Sequence, residues 1–457
     1  MSADGRRRRD REAGDDPPAG GVRAIAARIL DRVRDTRAPA DRFLAAARPS
    51  LSARDAALLH ELVLGTLRWQ ARLDHVLEQA AGRRLDEIDP VLHNPLRLAL
   101  LQLLSLDRVP AHAAVSEAVE EVRRRGAGRA SGFANAVLRR VSRQPRWDAW
   151  PVRAADPVQR LAVEQSHPEW LVRRWLDRFG ADQTGRLLAA NNRPRRPGLL
   201  TFRDHGDRAL VARRLVEEGV ITRPSELSPL GLLVEEGDPV ATEPFVGGTI
   251  YIQDAASQAA AWIPPPAAGE RILDLAAAPG GKSFALLAWE PALDIVACDV
   301  SPGRLLTMRR NAARLARRIP LVAADATRPS LRGGFDRVVL DLPCAGTGTL
   351  RKHPELKWRL QPSEIGRLAD QGLHLARAAA ALLRPGGRLC LITCSIEPEE
   401  NEDVVELLRS HDARLEPEPL ADLLPSELAV HVHGAGGWRV LPATDHDGFT
   451  VRVLRRS

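Results

Sequence analysis

The sequence predicts an α/β domain in the C-terminal half of the chain, preceded by an all-helical domain and a small α+β module. Three observations in the C-terminal half lead to this prediction. Short apolar runs alternate with helical patterns after residue 250, a glycine loop follows the first run at 276–282, and two cysteines, Cys344 and Cys394, follow later runs. Such alternation is typical of a mostly parallel sheet with helices on both faces and ligands at the carboxyl ends of its strands.

Composition limits the classes of protein to which the chain can belong. Its 457 residues suffice for about three domains of ~150 residues each. A net charge of +7 favours an anionic partner such as nucleic acid, although scattered surface arginine would give the same balance. The longest apolar run, 96–106, is shorter than the ~18 residues that span a bilayer. Four cysteines do not make a disulfide framework, so we expect a reducing, cytoplasmic location with no membrane or metal partner.

The N-terminal half divides into four segments by composition and periodicity. Residues 1–20 are charged and rich in glycine and proline, which predicts a disordered tail. In 21–143, apolar residues recur at i, i+3 and i+4 between prolines and glycines, which predicts an all-helical domain. Prolines and tryptophans in 144–168 predict a linker. A helical pattern followed by short strands in 169–247 predicts the α+β module.

The last predicted domain covers 248–457 and has a strand, helix, strand rhythm. Its predicted strands are 271–276, 294–298, 321–324, 338–342 and 388–393, and its predicted helices are 281–290, 304–316 and 362–383. The alternating residues 450–454 predict a late antiparallel strand at the edge of the sheet. An acidic run at 397–403 predicts the start of a helix, because the helix dipole favours acids there.

The glycine loop is a candidate cofactor site. Gly280 and Gly281 allow close backbone approach, and the following helix N-terminus favours an anionic carboxylate. Asp299 and Asp325 end the next two strands, where they can pair with a ribose and an adenine. A single aspartate at such a position is more often a helix cap, but the aspartates at successive strand ends together favour a cofactor-binding site. The loop alone does not separate nicotinamide from S-adenosylmethionine, but it is not Gly-x-Gly-x-x-Gly, which argues against a nicotinamide dinucleotide, and it does not have the form of a Walker phosphate loop.

The two loop cysteines fit one chemistry. A thiolate that adds to C6 of cytosine makes C5 nucleophilic enough to accept a methyl group from a sulfonium. This reaction needs an activated thiolate, a carboxyl group near N3 and a base, which Cys394, Asp341 and Cys344 can supply. Cys298 and Cys390 lie inside apolar strands and are expected in the core.

A basic segment follows Cys344. Lys352 and Lys357 are two of only three lysines in the chain, and His353 lies beside the first. We expect Lys352, His353 and Lys357 to contact RNA phosphate, although a solvated charge run is the alternative.

Several segments together resemble one family. They are Asp274-Leu-Ala-Ala-Ala-Pro-Gly-Gly-Lys282, Asp341-Leu-Pro-Cys-Ala-Gly-Thr-Gly348, Thr393-Cys-Ser-Ile-Glu-Pro-Glu-Glu-Asn401, Arg351-Lys-His-Pro-Glu-Leu-Lys-Trp358 and Tyr251-Ile-Gln-Asp-Ala-Ala-Ser-Gln258. These look like the RNA cytosine-C5 methyltransferases, and most closely the bacterial 16S rRNA Sun/Fmu (RsmB) family. His112-Ala-Ala-Val-Ser-Glu117 and Phe133-Ala-Asn-Ala-Val-Leu-Arg139 resemble the NusB-like N-terminal domain of that family.

The resemblance implies a Rossmann-like methyltransferase domain behind a NusB-like domain and an RNA-binding module. It implies that Cys394 attacks C6, that Cys344 assists proton removal and release, and that Asp341 contacts the cytosine and the cofactor region. The residues implied to bind S-adenosylmethionine are Ala276, Ala277, Ala278, Pro279, Gly280, Gly281, Lys282, Asp299, Arg304, Asp325 and Asp341. The implied substrate is a cytosine-967 type site in 16S rRNA or a small-subunit assembly intermediate, modified by a monomer.

Departures from the family pattern leave alternatives open. Residues 199–203 read Leu-Leu-Thr-Phe-Arg where Leu-Arg-Val-Asn is usual, within the module expected to touch RNA. The chain is therefore also compatible with a family enzyme acting on tRNA or another rRNA site. In a DNA-type cytosine methyltransferase Cys344 would attack, but no Glu-Asn-Val segment follows and Cys394 would have no role. A non-catalytic RNA-binding protein built on the NusB-like half would not need the glycine loop.

Overall fold

A computed structural model describes residues 21–107, 109–328 and 331–457, so the predicted tail at 1–20 lies outside the described residues. The chain divides into two compact units. The first extends to Gly180 and also contains the short segment His353–Arg359; the second contains Ala181–Lys352 and Leu360–Ser457. No helix among the described residues is long and apolar enough to cross a membrane.

The first unit is helical, as predicted. Its helices are α1 Val22–Thr36, α2 Ala40–Ala47, α3 Ala53–Arg68, α4 Gln70–Ala81, α5 Pro90–Ser105, α6 Ala111–Arg124, α7 Ser131–Ser142 and α8 Pro157–Glu164. Apolar residues at helical spacing form two cores, one mainly from α1 to α3 and one mainly from α4 to α7. The side chain of Ser52 caps α3, and Asp89 caps α5 in front of Pro90, so short polar residues fix where these helices begin.

The segment expected as a linker is folded. It contains α8, and the indole of Trp150 is 5% exposed within the core formed by α4 to α7. Ser166 and His167 are also buried. Between these buried groups, residues 151–160 are exposed or half-buried.

The helix α9 Glu169–Asn191 kinks at Gly180, whose φ of 73° is in the left-handed region, and the two units divide there. The α+β module follows, with β1 Gly198–Thr201, α10 Arg208–Glu217, β2 Ile221–Pro224, β3 Gly231–Glu236, α11 Glu243–Val246 and β4 Ile250–Ile252. Its strands form an antiparallel sheet in the order β2-β3-β1-β4. Since β4 pairs with β1, the module extends beyond its predicted end at 247.

The C-terminal sheet has the predicted parallel centre. Its strands are β5 Arg271–Asp274, β6 Asp294–Asp299, β7 Leu321–Ala323, β8 Phe335–Asp341, β9 Leu383–Thr393, β10 Leu415–Pro417, β11 Gly437–Val440 and β12 Phe449–Arg456. The order is β10-β12-β9-β8-β5-β6-β7, with β11 on β12. Strands β5 to β9 pair in parallel, and β12 joins β9 antiparallel, as the alternation in 450–454 predicted. The predicted position of this strand at the edge is wrong, because β10 pairs with the other side of β12.

Helices connect and cover these strands. They are α12 Ala255–Ala261, α13 Gly281–Trp289, α14 Pro302–Arg314, α15 Leu356–Arg359, α16 Pro362–Ala380, α17 Glu402–His411 and α18 Ser426–Ala429. The apolar faces of β5, β6 and β8 pack against α13 and α14 on one side and α16 on the other. The carboxyl ends of the parallel strands consequently lie at one edge, where the loops carry the candidate site.

The helix α15 belongs to the first unit through the segment His353–Arg359. The Trp358 indole Nε1 donates to the Leu67 carbonyl at 2.6 Å, and the Lys357 Nζ donates to the carbonyls of Arg68 and Ser166, both at 3.2 Å. Lys357 is 1% exposed, and burial lowers its pKa well below the ordinary lysine value. The prediction that Lys357 contacts RNA phosphate is therefore wrong, because the amine is enclosed among backbone carbonyls.

Candidate active site

The glycine loop joins β5 to α13 in a conformation that requires glycine. Gly280 has a φ of 110°, and a Cβ atom there would lie 2.4 Å from Cε2 of Phe284. Helix α13 begins at Gly281, so the free N–H groups of its first turn face the carboxyl edge of the sheet. Such a turn is suited to an anionic group.

Asp299 holds this loop from the end of β6. Its carboxylate is 2% exposed and accepts the backbone N–H of Ala278 at 3.1 Å and of Ser301 at 2.9 Å. A guanidinium nitrogen of Arg304 lies 3.4 Å from the same carboxylate, and Arg304 also donates to the Ala278 carbonyl. Because a carboxylate has about four lone-pair directions, Asp299 retains acceptor capacity for hydroxyl groups.

Asp325 lies two residues after the end of β7, exposed to solvent. It accepts the backbone N–H and the hydroxyl of Thr327, both at 2.8 Å, and these bonds lower the pKa of the carboxyl group. In this structure Asp325 closes a turn, so its predicted contact with adenine stays a prediction.

Lys282 links the glycine loop to the end of β8. Its Nζ lies 3.1 Å from a carboxylate oxygen of Asp341 and 3.2 Å from the hydroxyl of Ser257. The amine also lies 5.0 Å from the ring centroid of Phe449, a cation–π distance. The side chain of Asp341 is 38% exposed, so its carboxylate is accessible while Lys282 fixes its orientation.

The two predicted thiols lie together. Cys344 follows β8, Cys394 follows the neighbouring β9, and their Sγ atoms are 3.4 Å apart. The hydrogen bond to Cys394 and burial raise the pKa of the Cys344 thiol well above its ordinary value. The two loops are joined by the Gly348 N–H, which donates to the Cys394 carbonyl at 2.9 Å. A Cβ at Gly348 would lie 2.3 Å from the Gly448 carbonyl, so this approach requires glycine.

Glu400 is a residue of this site that the sequence analysis did not single out. One of its carboxylate oxygens accepts the N–H of Ala345 at 2.7 Å, which ties it to the loop that carries Cys344. Glu400 is 2% exposed, and burial raises the pKa of its carboxyl group to about 7. The acidic run 397–403 was attributed to a helix start, and α17 does begin at Glu402, but Glu400 precedes that helix and points inward.

Two further polar groups near the glycine loop have capacity for a ligand. The Gln253 amide lies 3.3 Å from where a Cβ of Gly281 would be, and its Oε1 is buried with no hydrogen-bond partner among the described residues. Asp274 accepts the hydroxyl of Ser283 at 2.6 Å, whereas its other oxygen is buried and unpaired within the same described ranges. Burial raises the pKa of Asp274 to about 7. A cofactor with amine, hydroxyl and carboxylate groups fits this set of donors and acceptors.

The parts of the chain that the structure describes contain no cluster of three or more metal-binding side chains. The parallel sheet, the glycine loop and the strand-end acids define a Rossmann-like methyltransferase domain. The family model "16S rRNA methyltransferase RsmB/F" matches residues 261–455, the NusB family matches 21–143, and "Methyltr_RsmF/B-like, ferredoxin-like domain" matches 167–241.

Similarity to known proteins extends over nearly the whole chain. It is 36% identical to ribosomal RNA small subunit methyltransferase B of Vibrio cholerae over 420 residues, which covers 90% of this chain and 95% of the relative. It is 31% identical to a probable ribosomal RNA small subunit methyltransferase B of Bacillus subtilis, and the match covers 95% of this chain and 98% of the relative. The chain therefore belongs to the RsmB/F family of 16S rRNA methyltransferases.

Solved structures agree on the fold. One matches 96% of this chain and all of its own with a TM-score of 0.77 at 24% identity. NSun6 from Pyrococcus horikoshii with SFG matches 63% of this chain and 98% of its own, with a TM-score of 0.55 at 21% identity.

Proposed function

We propose that this chain transfers a methyl group from S-adenosylmethionine to C5 of one cytosine in 16S rRNA, the cytosine-967 type site, through a covalent adduct at Cys394. One observation carries the proposal: the thiols of Cys344 and Cys394 lie 3.4 Å apart at the ends of neighbouring strands. Two thiols in contact can act on the same ring atom or on adjacent atoms of one base.

The cofactor, when bound, supplies an electrophilic methyl group on a sulfonium. Residues 276–282 and Asp299 surround the proposed cofactor site. Arg304 forms an ion pair with Asp299, and the exposed Asp325 is proposed to lie at the edge of this site. Lys282 contacts Asp341, so one ion pair joins the cofactor loop to the strand end where the cytosine is expected. This contact gives a role to one of the three lysines in the chain.

Our assignment gives the two thiols different protonation states. The Cys394 thiolate forms a bond to C6 while Asp341 passes a proton to N3, so that the ring does not keep the negative charge, and Asp341 takes this proton back when the adduct breaks down. After methylation the C5 proton is removed, electrons return to the ring, and the C6–S bond breaks to release Cys394 as thiolate. The raised pKa of Cys344 makes it a thiol at rest. Once that proton has passed to solvent, its thiolate is a strong base that takes the C5 proton, which restores the thiol.

The proposed substrate is 16S rRNA or a small-subunit assembly intermediate, bound in the cytoplasm by a monomer. Lys352 and His353 keep their proposed role in contacting RNA phosphate, because both are partly exposed whereas Lys357 is buried. His353 also lies 3.8 Å from a carboxylate oxygen of Asp41.

The test compares wild type, Cys394→Ala and Cys344→Ala with labelled S-adenosylmethionine and unmodified 16S rRNA. We expect Cys394→Ala to give neither 5-methylcytosine nor an adduct on a denaturing gel. Cys344→Ala should accumulate a covalent protein–RNA species, because addition proceeds and release is slow. Methylation by Cys394→Ala together with inactivity of Cys344→Ala would reverse the assignment. Labelling of tRNA alone would contradict the proposed substrate.

A further inference from the structure

The first unit contains a cavity lined by arginine. Its volume is about 540 Å³, and its lining includes Arg140, Arg143 and Arg153 with the amides of Gln79 and Gln144. No carboxylate is among the residues that line it in the described part of the chain. The cavity lies where α4 and the end of α7 meet the folded segment that follows α7, far in sequence from the thiols.

The charges in this cavity have no carboxylate partner among the residues that the structure describes. No ion pair joins Arg140, Arg143 or Arg153 to a carboxylate in residues 21–107, 109–328 or 331–457. Nearby Arg146, by contrast, is exposed and paired with Asp148. Three guanidinium groups around one concave surface repel one another, and an anion between them would relieve that repulsion.

The walls of the cavity are held in place by hydrogen bonds within the first unit. Trp150 donates its indole N–H to the Gln144 carbonyl at 3.2 Å, and Arg140 donates to the Ala80 carbonyl at 3.2 Å. The Gln79 amide donates to the Pro151 carbonyl at 2.9 Å, with a His75 ring nitrogen 3.2 Å from the same oxygen. The concave shape therefore exists before a ligand arrives, which lowers the entropic cost of binding.

We propose that this arginine cavity binds a phosphodiester group of the RNA substrate. The inference rests on the proposed function and adds a second, distinct point of RNA contact within the first unit. A guanidinium offers parallel N–H donors that match phosphate oxygens, and the amide of Gln144 adds a neutral donor beside them. An acidic protein segment is the competing ligand, but carboxylates occur singly on flexible side chains whereas RNA presents phosphates at regular spacing.

The test uses the full chain with Arg143→Gln and Arg153→Gln combined, and Arg146→Gln as the matched control. Arg143 and Arg146 are both exposed and three residues apart, but only Arg143 lines the cavity. We expect the double variant to bind an unmodified 16S rRNA transcript about tenfold more weakly, with the slope of log affinity against log salt reduced by about 2. The control should match wild type, and thermal unfolding should be unchanged in both.

Three outcomes would overturn the inference. The double variant could bind the transcript as tightly as wild type does. It could lose only the binding of polyglutamate, a probe for the competing acidic protein segment, and keep RNA binding. The Arg146→Gln control could weaken RNA binding as much as the double variant does. Methylation at saturating transcript separates this inference from the proposed function. The double variant should keep the wild-type maximal rate, whereas failure of the wild type to methylate rRNA would contradict the proposed function and leave the binding result standing.

Discussion

The Sγ atom of Cys344 lies 3.4 Å from the Sγ atom of Cys394, although fifty residues separate them in sequence. The contact exists because β8 and β9 are parallel neighbours whose following loops are joined by the Gly348 N–H. Moving either loop by the width of one atom would separate the thiols. The residues that fix these loops therefore matter as much as the cysteines.

We predict that Glu400→Gln slows methylation about 10-fold to 100-fold. The carboxylate accepts the Ala345 N–H beside Cys344, and the amide would accept that bond more weakly and also introduce a donor in a buried place. Steady-state and single-turnover methylation measure the effect. Glu406→Gln, on the exposed face of α17, is the control and should behave as wild type. A methylation rate for Glu400→Gln equal to that of wild type would show that Glu400 does not contribute to the reaction.

The glycine loop provides a matched pair of variants. Gly280→Ala should lower the free energy of unfolding by about 2 kcal/mol or more, since its positive φ is unfavourable for alanine and the Cβ would collide with Phe284. Gly281→Ala should leave stability nearly unchanged, because the nearest atom to its Cβ is the Gln253 amide nitrogen at 3.3 Å. Urea unfolding distinguishes the two. Calorimetry with S-adenosylmethionine should show weaker binding for Gly281→Ala, whose Cβ would project beside the proposed cofactor site.

The contribution of Asp274 and Glu400 to stability should fall as pH rises from about 4 to about 7. Both carboxyl groups have a folded-state pKa of about 7, above their ordinary values. The folded state therefore holds more protons, so the stabilisation is present at low pH and is lost as pH rises through about 7. Asp274→Asn should flatten the dependence of the unfolding free energy on pH. A slope identical to wild type would mean that Asp274 titrates normally.

Two lysines five residues apart should differ in their effect on RNA binding. Lys357→Met should leave the salt dependence of RNA affinity unchanged, because its amine is buried between the Arg68 and Ser166 carbonyls. Lys352→Met should reduce the magnitude of the salt slope by about 1, as expected for one lost phosphate contact. Filter binding at several salt concentrations measures both slopes. A reduced slope for Lys357→Met would require that the buried segment opens when RNA binds.

Local patterns predicted the fold because strands and helices carry their own periodicity. The strands from β5 to β9 and the antiparallel strand β12 follow apolar runs that are visible in the sequence. The cysteines were recognisable because they stand at the ends of such runs. The burial of Lys357 could not be predicted, because an Arg-Lys-His run is typical of exposed sequence. The partners of its amine are backbone carbonyls nearly two hundred or more residues away. Glu400 was hidden for a related reason: an acidic run does not show which carboxylate points inward.

The segment His353–Arg359 has a practical consequence for dissecting the protein. A fragment ending at Gly180 would lack Trp358 and Lys357 and would leave the Leu67, Arg68 and Ser166 carbonyls without these donors. Such a fragment would lack the segment that completes the first compact unit. Adding residues 353–359 as a separate peptide should stabilise the fragment by complementation, because the peptide carries the missing hydrogen-bond donors. The boundaries along the sequence and the boundaries of autonomous folding are therefore different in this chain.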